Sequence, residues 1–218
     1  MKHRTVIASL LLIFLTSITF QQKKFFTKFN LKIIKVENNF LLSNEEIKKS
    51  LIKLYDKNLI FLSYAEVEKQ LKKNSLIDSF NIKKKYPDTL KVKIFEKKPI
   101  AILLNDKRKF YLSEKIELIE FNNDLNYENL PYVFGSHKEF KIFYYNLKKI
   151  DFPLDTIKKY TLFQLNRWDI ETINKKIIKL PHSNYLKSLN NYLDLSKNKN
   201  FKKYKVFDYR IENQLILK

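Results

Sequence analysis

The sequence predicts an α+β chain: an apolar N-terminal helix, a small unit in which two helices cover a short sheet, and a larger unit dominated by strands. Three observations carry this prediction. An uncharged stretch runs from Thr5 to Gln22, bracketed by Lys2, His3 and Arg4 on one side and by Lys23 and Lys24 on the other. Two S-x-x-E capping boxes, Ser43 with Glu46 and Ser63 with Glu66, each open an apolar stripe at helical spacing. Beyond residue 76 the chain falls repeatedly into short alternating or β-branched runs bounded by turn residues.

The strongly apolar part of the first segment is Val6 to Phe20. It is shorter than the roughly 20 residues that an average bilayer core requires, and its length also suits the apolar region of a signal peptide, about 7–15 residues. Cleavage chemistry argues the other way: Ile18-Thr19-Phe20-Gln21-Gln22 offers no small-x-small site. Counting Thr5, Gln21 and Gln22, the stretch can just span. The reading is a tail at residues 1–5 and a transmembrane signal anchor at 6–22, with a cleaved secretory leader as the competitor. Similar charge on both flanks leaves orientation undecided by the positive-inside rule.

The first folded unit is expected at residues 30–97. Ile33-Ile34-Lys35-Val36 reads as a strand. Ile47, Leu51 and Leu54 stripe a first helix, and Tyr64, Val67 and Leu71 a second. Phe80-Asn81-Ile82-Lys83 and the alternation of Leu90, Val92 and Ile94 with Lys91 and Lys93 give two more strands. Pro87-Asp88 between them suits a tight turn, hence a hairpin. The order β-α-α-β-β lets two helices bury one face of a three-stranded sheet.

Residues 98–218 read as the β-rich unit. Ile100 to Leu104, Phe110 to Leu112, Glu117 to Phe121, Thr161 to Leu165, Arg167 to Ile170 and Ile177 to Leu180 are expected strands. Phe140, Phe143, Tyr144 and Leu147 mark one helix, and Leu186, Leu189 and Leu193 another. The single glycine, Gly135, can supply a positive φ at a turn. Asn174 and Asn122-Asn123 are expected to do the same elsewhere, since Asn tolerates the left-handed region. At the end, Phe207, Tyr209, Ile211, Leu215 and Leu217 alternate with Asp208, Arg210, Glu212 and Gln214. That pattern reads as one strand with a core face and a face for solvent or a partner.

Composition excludes several classes. There is no cysteine, hence no disulfide, thiolate metal site or cysteine nucleophile. His3, His137 and His182 lack metal-ligand spacing, and no Gly-rich phosphate loop or G-x-S-x-G elbow occurs. No catalytic residue, cofactor or metal site is assigned. The net charge of +20 invites a nucleic-acid reading. Apart from Arg4, Arg108, Arg167 and Arg210, however, the positive charge is lysine, whereas base readout favours the arginine fork. Crowding with Lys, Ile, Asn, Phe and Tyr fits an A+T-rich coding sequence that spreads lysine over solvated faces. Attraction to anionic lipid headgroups near the anchor is a further use for that charge.

The stretch Leu76 to Val92 and its continuation resemble the FtsQ/DivIB bacterial cell-division proteins. Pro87, Thr89, Leu90, Glu96, Pro99 and Ala101 fall on the spacing that closes the family's POTRA domain, with lysine in place of the usual arginine before Tyr86-Pro87. Leu130-Pro131 with Gly135, Arg167-Trp168, Lys179-Leu180-Pro181 and Phe207-Asp208-Tyr209-Arg210 follow the order of the family's β-domain motifs. The tail before the apolar segment is shorter than is common in the family, and glycines usual in the β-domain turns are missing. The resemblance implies a single-pass protein of the cytoplasmic (inner) membrane with its folded domains outside the cytoplasm, at the division septum. It implies a non-enzymatic divisome scaffold that recruits septal wall-synthesis components. Partners of the FtsB and FtsL type would add a strand at the C-terminal strand, with Tyr209, Arg210, Ile211, Glu212, Gln214, Leu215 and Leu217 as the contact residues. Other division proteins would use the POTRA domain. The alternatives are another POTRA-bearing envelope assembly or secretion component, and a lysine-rich nucleic-acid-binding protein.

Overall fold

The computed structural model describes residues 2–105, 108–122, 127, 129–211 and 214–218, with the side chains of 2 and 17–26 outside the description. The chain begins with helix α1 (Lys2–Thr27). Val6, Ile7 and every residue from Leu10 to Leu15 expose more than half of their surface, so the apolar side chains ring the helix. Among the described residues, no helix is long and apolar enough to cross a membrane. The chain folds as two compact units, Met1–Lys97 and Lys98–Lys218.

In the first unit β1 (Ile33–Glu37) is followed by α2 (Asn44–Ser50), α3 (Tyr64–Leu71), β2 (Ile77–Lys85) and β3 (Thr89–Glu96). This is the β-α-α-β-β order that the periodicity predicts. Both capping boxes form: each serine side chain accepts the N3 backbone N–H, and each N3 glutamate accepts the N-cap N–H. β3 lies in the centre, parallel to β1 and antiparallel to β2. Ile34, Phe80, Leu90, Val92 and Ile94 line one sheet face, and Ile47, Val67 and Leu71 from the helices are buried with them. Tyr64 of α3 stacks on Phe80, with ring centroids 4.8 Å apart.

Glu96, which stands at the end of β3 before the next unit, has a structural duty. Its carboxylate accepts the backbone N–H groups of Phe40, Leu41 and Leu42 at 3.1, 2.8 and 2.9 Å. The loop between β1 and α2 is thereby clamped to the end of β3 by charge-assisted bonds.

The second unit is built on a nine-stranded mixed sheet. Its strands are β4 (Pro99–Asn105), β5 (Arg108–Ser113), β6 (Leu118–Glu120), β7 (Tyr132–Phe134), β8 (Ile157–Phe163), β9 (Arg167–Thr172), β10 (Ile177–Lys179), β11 (Val206–Asp208) and β12 (Ile216–Leu217). Spatial order is β12-β11-β10-β9-β8-β7-β4-β5-β6. α4 (His137–Lys149) carries the chain from β7 to its parallel neighbour β8, and α5 (Tyr185–Lys197) from β10 to its parallel neighbour β11. Both helices pack into one core with Val133, Tyr160, Trp168, Ile170, Ile178 and Phe207. Phe143 of α4 stacks on Trp168 with centroids 4.9 Å apart and planes within 9°, a contact worth about 0.5–1.5 kcal/mol beyond the area it buries. The Asn146 amide donates to the Tyr185 hydroxyl at 2.6 Å, joining α4 to α5.

Several local expectations are corrected. β7 is a strand although its three residues carry too little alternation to read as one. β8 starts at Ile157 and stops at Phe163, because Leu165 and Asn166 take positive φ (60° and 53°) and turn the chain into β9. In α5 the fully buried residues are Leu189 and Tyr192, while Leu186 and Leu193 pack at the core margin. The left-handed residue of the β9–β10 turn is Lys175 (φ 59°) rather than Asn174. Asn122 has no positive φ, and Asn123 lies outside the described residues. Gly135 does need its freedom: φ is 150°, and an added Cβ would meet the Cβ of Leu162 at 2.5 Å.

Replacing Glu96 with alanine strands three backbone donors and should destabilise the first unit by about 1–3 kcal/mol. Glu96→Gln, which keeps one acceptor oxygen, should recover part of that loss. Urea denaturation followed by hydrogen exchange at Phe40, Leu41 and Leu42 checks both; unchanged exchange there in the alanine variant would refute the clamp.

Candidate partner-docking site

β11 is held to β10 in parallel register, Ile178 beside Phe207 and Lys179 beside Asp208. The Tyr209 N–H then donates to the Lys179 carbonyl at 2.8 Å. At that point the strand stops. The Asp208 carboxylate accepts the backbone N–H of Arg210 at 3.1 Å, and its two oxygens accept Nε and the terminal NH2 of the same guanidinium at 2.7–3.1 Å. A side chain that captures the backbone two residues on is a turn former. The chain folds back, and β12 pairs antiparallel with β11, Leu217 beside Phe207 and Ile216 beside Asp208. The single strand expected through residues 207–217 is therefore two short strands and a turn.

This turn re-sorts the residues that the sequence places on the docking strand. Tyr209 is buried and its hydroxyl donates to the Asn191 side chain of α5 at 3.0 Å. Burial pushes that hydroxyl well above the usual tyrosine range, Tyr192 adding to it. Arg210 is half-exposed, Ile211 and Gln214 are exposed, and Leu215 and Leu217 are half-buried against the core. Glu212 lies outside the described residues. Asp208, assigned to solvent by alternation, is buried.

Three features surround the hairpin. A groove of about 580 Å³ runs along the N-terminal half of α5, with His182, Asn184, Lys187 and Asn191 on its helix side and Tyr209, Arg210, Ile211, Gln214 and Leu215 opposite. The open sheet face beside it carries alternating charge: Asp169, Lys179 and Asp208 are cross-strand neighbours, with Arg167 on Asp169 at 3.0 Å and Arg210 on Asp208 at 2.7 Å. Third, among the described residues β12 is the last strand of the sheet. Val206 and Lys218 exchange both backbone hydrogen bonds (2.9 and 3.1 Å), so the next pair, Phe207 and Leu217, is the non-bonded one. Leu217 consequently turns its N–H and C=O away from β11, towards the free edge.

Two histidines contact backbone carbonyls, His182 doing so from the groove wall. The His137 ring nitrogen lies 2.5 Å from the Ile116 carbonyl, and the His182 ring contacts the Leu165 carbonyl. The wall of α5 facing the groove was legible only in outline: polar residues on its exposed face give no periodic signal, and Asn191 matters because Tyr209 reaches it.

Residues 29–97 match the family model described as POTRA domain, FtsQ-type. Similar proteins are each named cell division protein FtsQ. That of Rickettsia conorii is 28% identical over 191 residues, covering 83% of this chain and 70% of the relative. That of Rickettsia felis is 27% identical over the same shares, and that of Rickettsia typhi 26% over 163 residues, 72% of this chain and 60% of the relative. Over most of its length the chain is thus similar to FtsQ cell division proteins, and residues 29–97 form an FtsQ-type POTRA domain.

In this FtsQ-like chain the Asp208–Arg210 pair sets the geometry of the C-terminal hairpin and with it the last sheet edge. Hydrogen bonding to Arg210 holds the Asp208 carboxyl below the usual carboxylate range, burial opposing and Lys179 assisting. Burial raises Asp169, while Arg167, Lys179 and Arg210 pull it down. For Asp208, a folded value below the unfolded one means that the pair's stabilisation is complete above the ordinary value of 3.8 and is lost as pH falls through the lower folded value.

Arg210→Met should therefore cost about 1–3 kcal/mol at neutral pH by leaving a buried carboxylate without its guanidinium donors, the backbone N–H of residue 210 alone remaining. The deficit should shrink as pH falls into the acid range and vanish below the folded value of the parent's Asp208, where both proteins carry a neutral carboxyl. Denaturant melts of the two proteins at neutral and acid pH read this directly, and a deficit constant with pH would contradict the assignment.

Proposed function

We propose that this protein is a membrane-tethered divisome scaffold whose second unit receives a partner strand on the free edge of β12. The observation that carries the reading is the orientation of Leu217: its N–H and C=O point outward from the terminal strand of the sheet, where an added strand finds main-chain partners. The groove beside α5 and the half-exposed Arg210 give that strand's flanking residues a polar, cationic wall. Arg210, Ile211, Gln214, Leu215 and Leu217 are the contact residues, with Glu212 retained from the expected docking strand; Tyr209 supports them from within.

Segment 6–22 within α1 is the anchor, residues 1–5 the cytoplasmic tail, 30–97 the POTRA domain and 98–218 the FtsQ-type β-domain, both outside the cytoplasm at the septum. What supports anchoring is that consecutive apolar residues are exposed on every side of α1, a pattern that water does not favour. The partners are small membrane division proteins of the FtsB and FtsL type at the β-domain and other division proteins at the POTRA domain. The work is done by complementarity and strand addition, without turnover; the protein is a recruiter of wall-synthesis components and not a catalyst.

Leu217→Pro is the sharp test, because proline removes the outward N–H yet leaves the Val206–Lys218 bonds to β11 in place. A fluorescent fusion of the full chain should band at midcell in dividing cells. In the proline variant that band should persist while the FtsB-type partner disperses. A uniform envelope signal for the parent, or full partner recruitment by the variant, would overturn the reading.

A further inference from the structure

The face of the three-stranded sheet opposite its helices is basic. The strand register sets Lys35, Lys91 and Lys83 directly side by side across β1, β3 and β2. Lys85 and Lys93 flank that row around a depression of about 350 Å³. Glu37, paired with Lys91, is the one carboxylate that the register places on this face between Thr89 and Lys93. Like charges directly opposite each other work against strand pairing, so strand pairing does not account for the row. A coding bias towards lysine would act alike on both units, but the outcome differs. On the open face of the nine-stranded sheet, Lys159, Arg167 and Arg210 each have a carboxylate within 2.7–3.0 Å.

We propose that this lysine face docks on the anionic phospholipid headgroups of the bilayer that holds α1, an inference that rests on the anchoring proposed above. Residues 28–32 separate the end of α1 from β1, a reach of at most about 20 Å. That tether is shortened further because Phe29 and Leu31 are already bonded to the folded unit, Leu59 N–H to the Phe29 carbonyl at 2.8 Å and Leu31 N–H to the Lys57 carbonyl at 2.9 Å. The face is thus confined to the neighbourhood of the headgroups. All five cations are lysine, compact and strongly hydrated point charges suited to a diffuse anionic surface, where a single carboxylate or phosphate partner would favour the arginine fork. Near an anionic bilayer each such lysine strengthens association about fivefold, an effect that fades with salt.

The full chain is reconstituted into vesicles of phosphatidylcholine, or of phosphatidylcholine with phosphatidylglycerol, and its lysines are acylated with a membrane-impermeant reagent. At low salt Lys35, Lys83 and Lys93 should react at least about fivefold more slowly in the anionic vesicles, while Lys53 and Lys69 on the helix side react equally in both. High salt, or Lys35→Gln with Lys83→Gln and Lys91→Gln, should abolish the slowing at Lys93. Equal reactivity in the two vesicles overturns the inference, and protection of the same lysines by polyglutamate alone would reassign the face to an acidic protein. A chain that fails to float with phosphatidylcholine vesicles overturns the anchor only. The free chain is then mixed with the anionic vesicles and the same reactivity contrast is read.

Discussion

Each of the two sheets is covered by helices on one face only, and most of what the protein presents to partners follows from that constraint. Apolar side chains gather on the covered face, where α2 and α3 in one unit and α4 and α5 in the other complete a core. At the β4–β5–β6 end of the larger sheet the other face also buries Ile102, Tyr111 and Ile119, with Phe121 and Tyr127 against Tyr111; elsewhere it must be made of groups that water tolerates. In the larger unit those groups are interleaved charges, Lys159 with Glu171 and Asp169, Lys179 and Asp208 in a row. In the smaller unit they are lysines around a single glutamate. The two faces therefore differ in kind: one is electrostatically satisfied within itself and the other is not.

The parallel crossovers fix a second property. α5 brings the chain back beside β10, so β11 enters as the next strand, and β12 pairs on its far side. Asp208 decides how. By capturing the Arg210 N–H and guanidinium it ends β11 and sends the chain back as β12. An edge strand of two residues gains little from its own pairing, and its outward backbone groups remain available. A short edge limits unwanted pairing and can still be lengthened by a partner whose strand fits the groove alongside.

The sequence was informative wherever a local rule acts alone. The serine–glutamate capping boxes, the alternation of Leu90, Val92 and Ile94, and the helical stripe of Phe140, Phe143 and Leu147 each declare their element, because capping and periodicity are properties of a few neighbouring residues. It was least informative where a long-range partner decides. Tyr132, Val133 and Phe134 become β7 because β4 and β8 pair with them on either side. The alternation from Phe207 to Leu217 continues past the place where Asp208 bends the chain, since a periodic pattern does not register a side chain that binds backbone. Left-handed turns fell to Lys175, Leu165 and Ile116 as well as to asparagines, positions with no compositional cue. The resemblance puts the docking edge on residues 209–217, while the outward orientation of Leu217 emerges only from the register.

The central claim is that the β12 edge is the docking edge. Amide hydrogen exchange of the full chain, alone and with the extracytoplasmic segments of its FtsB- and FtsL-type partners, tests it most directly. The account predicts that the Leu217 amide, which points away from β11, exchanges fast in the free protein and becomes strongly protected in the complex, with Leu215 following it. Protection confined to other strands, with Leu217 still exchanging freely in a saturated complex, would contradict the account.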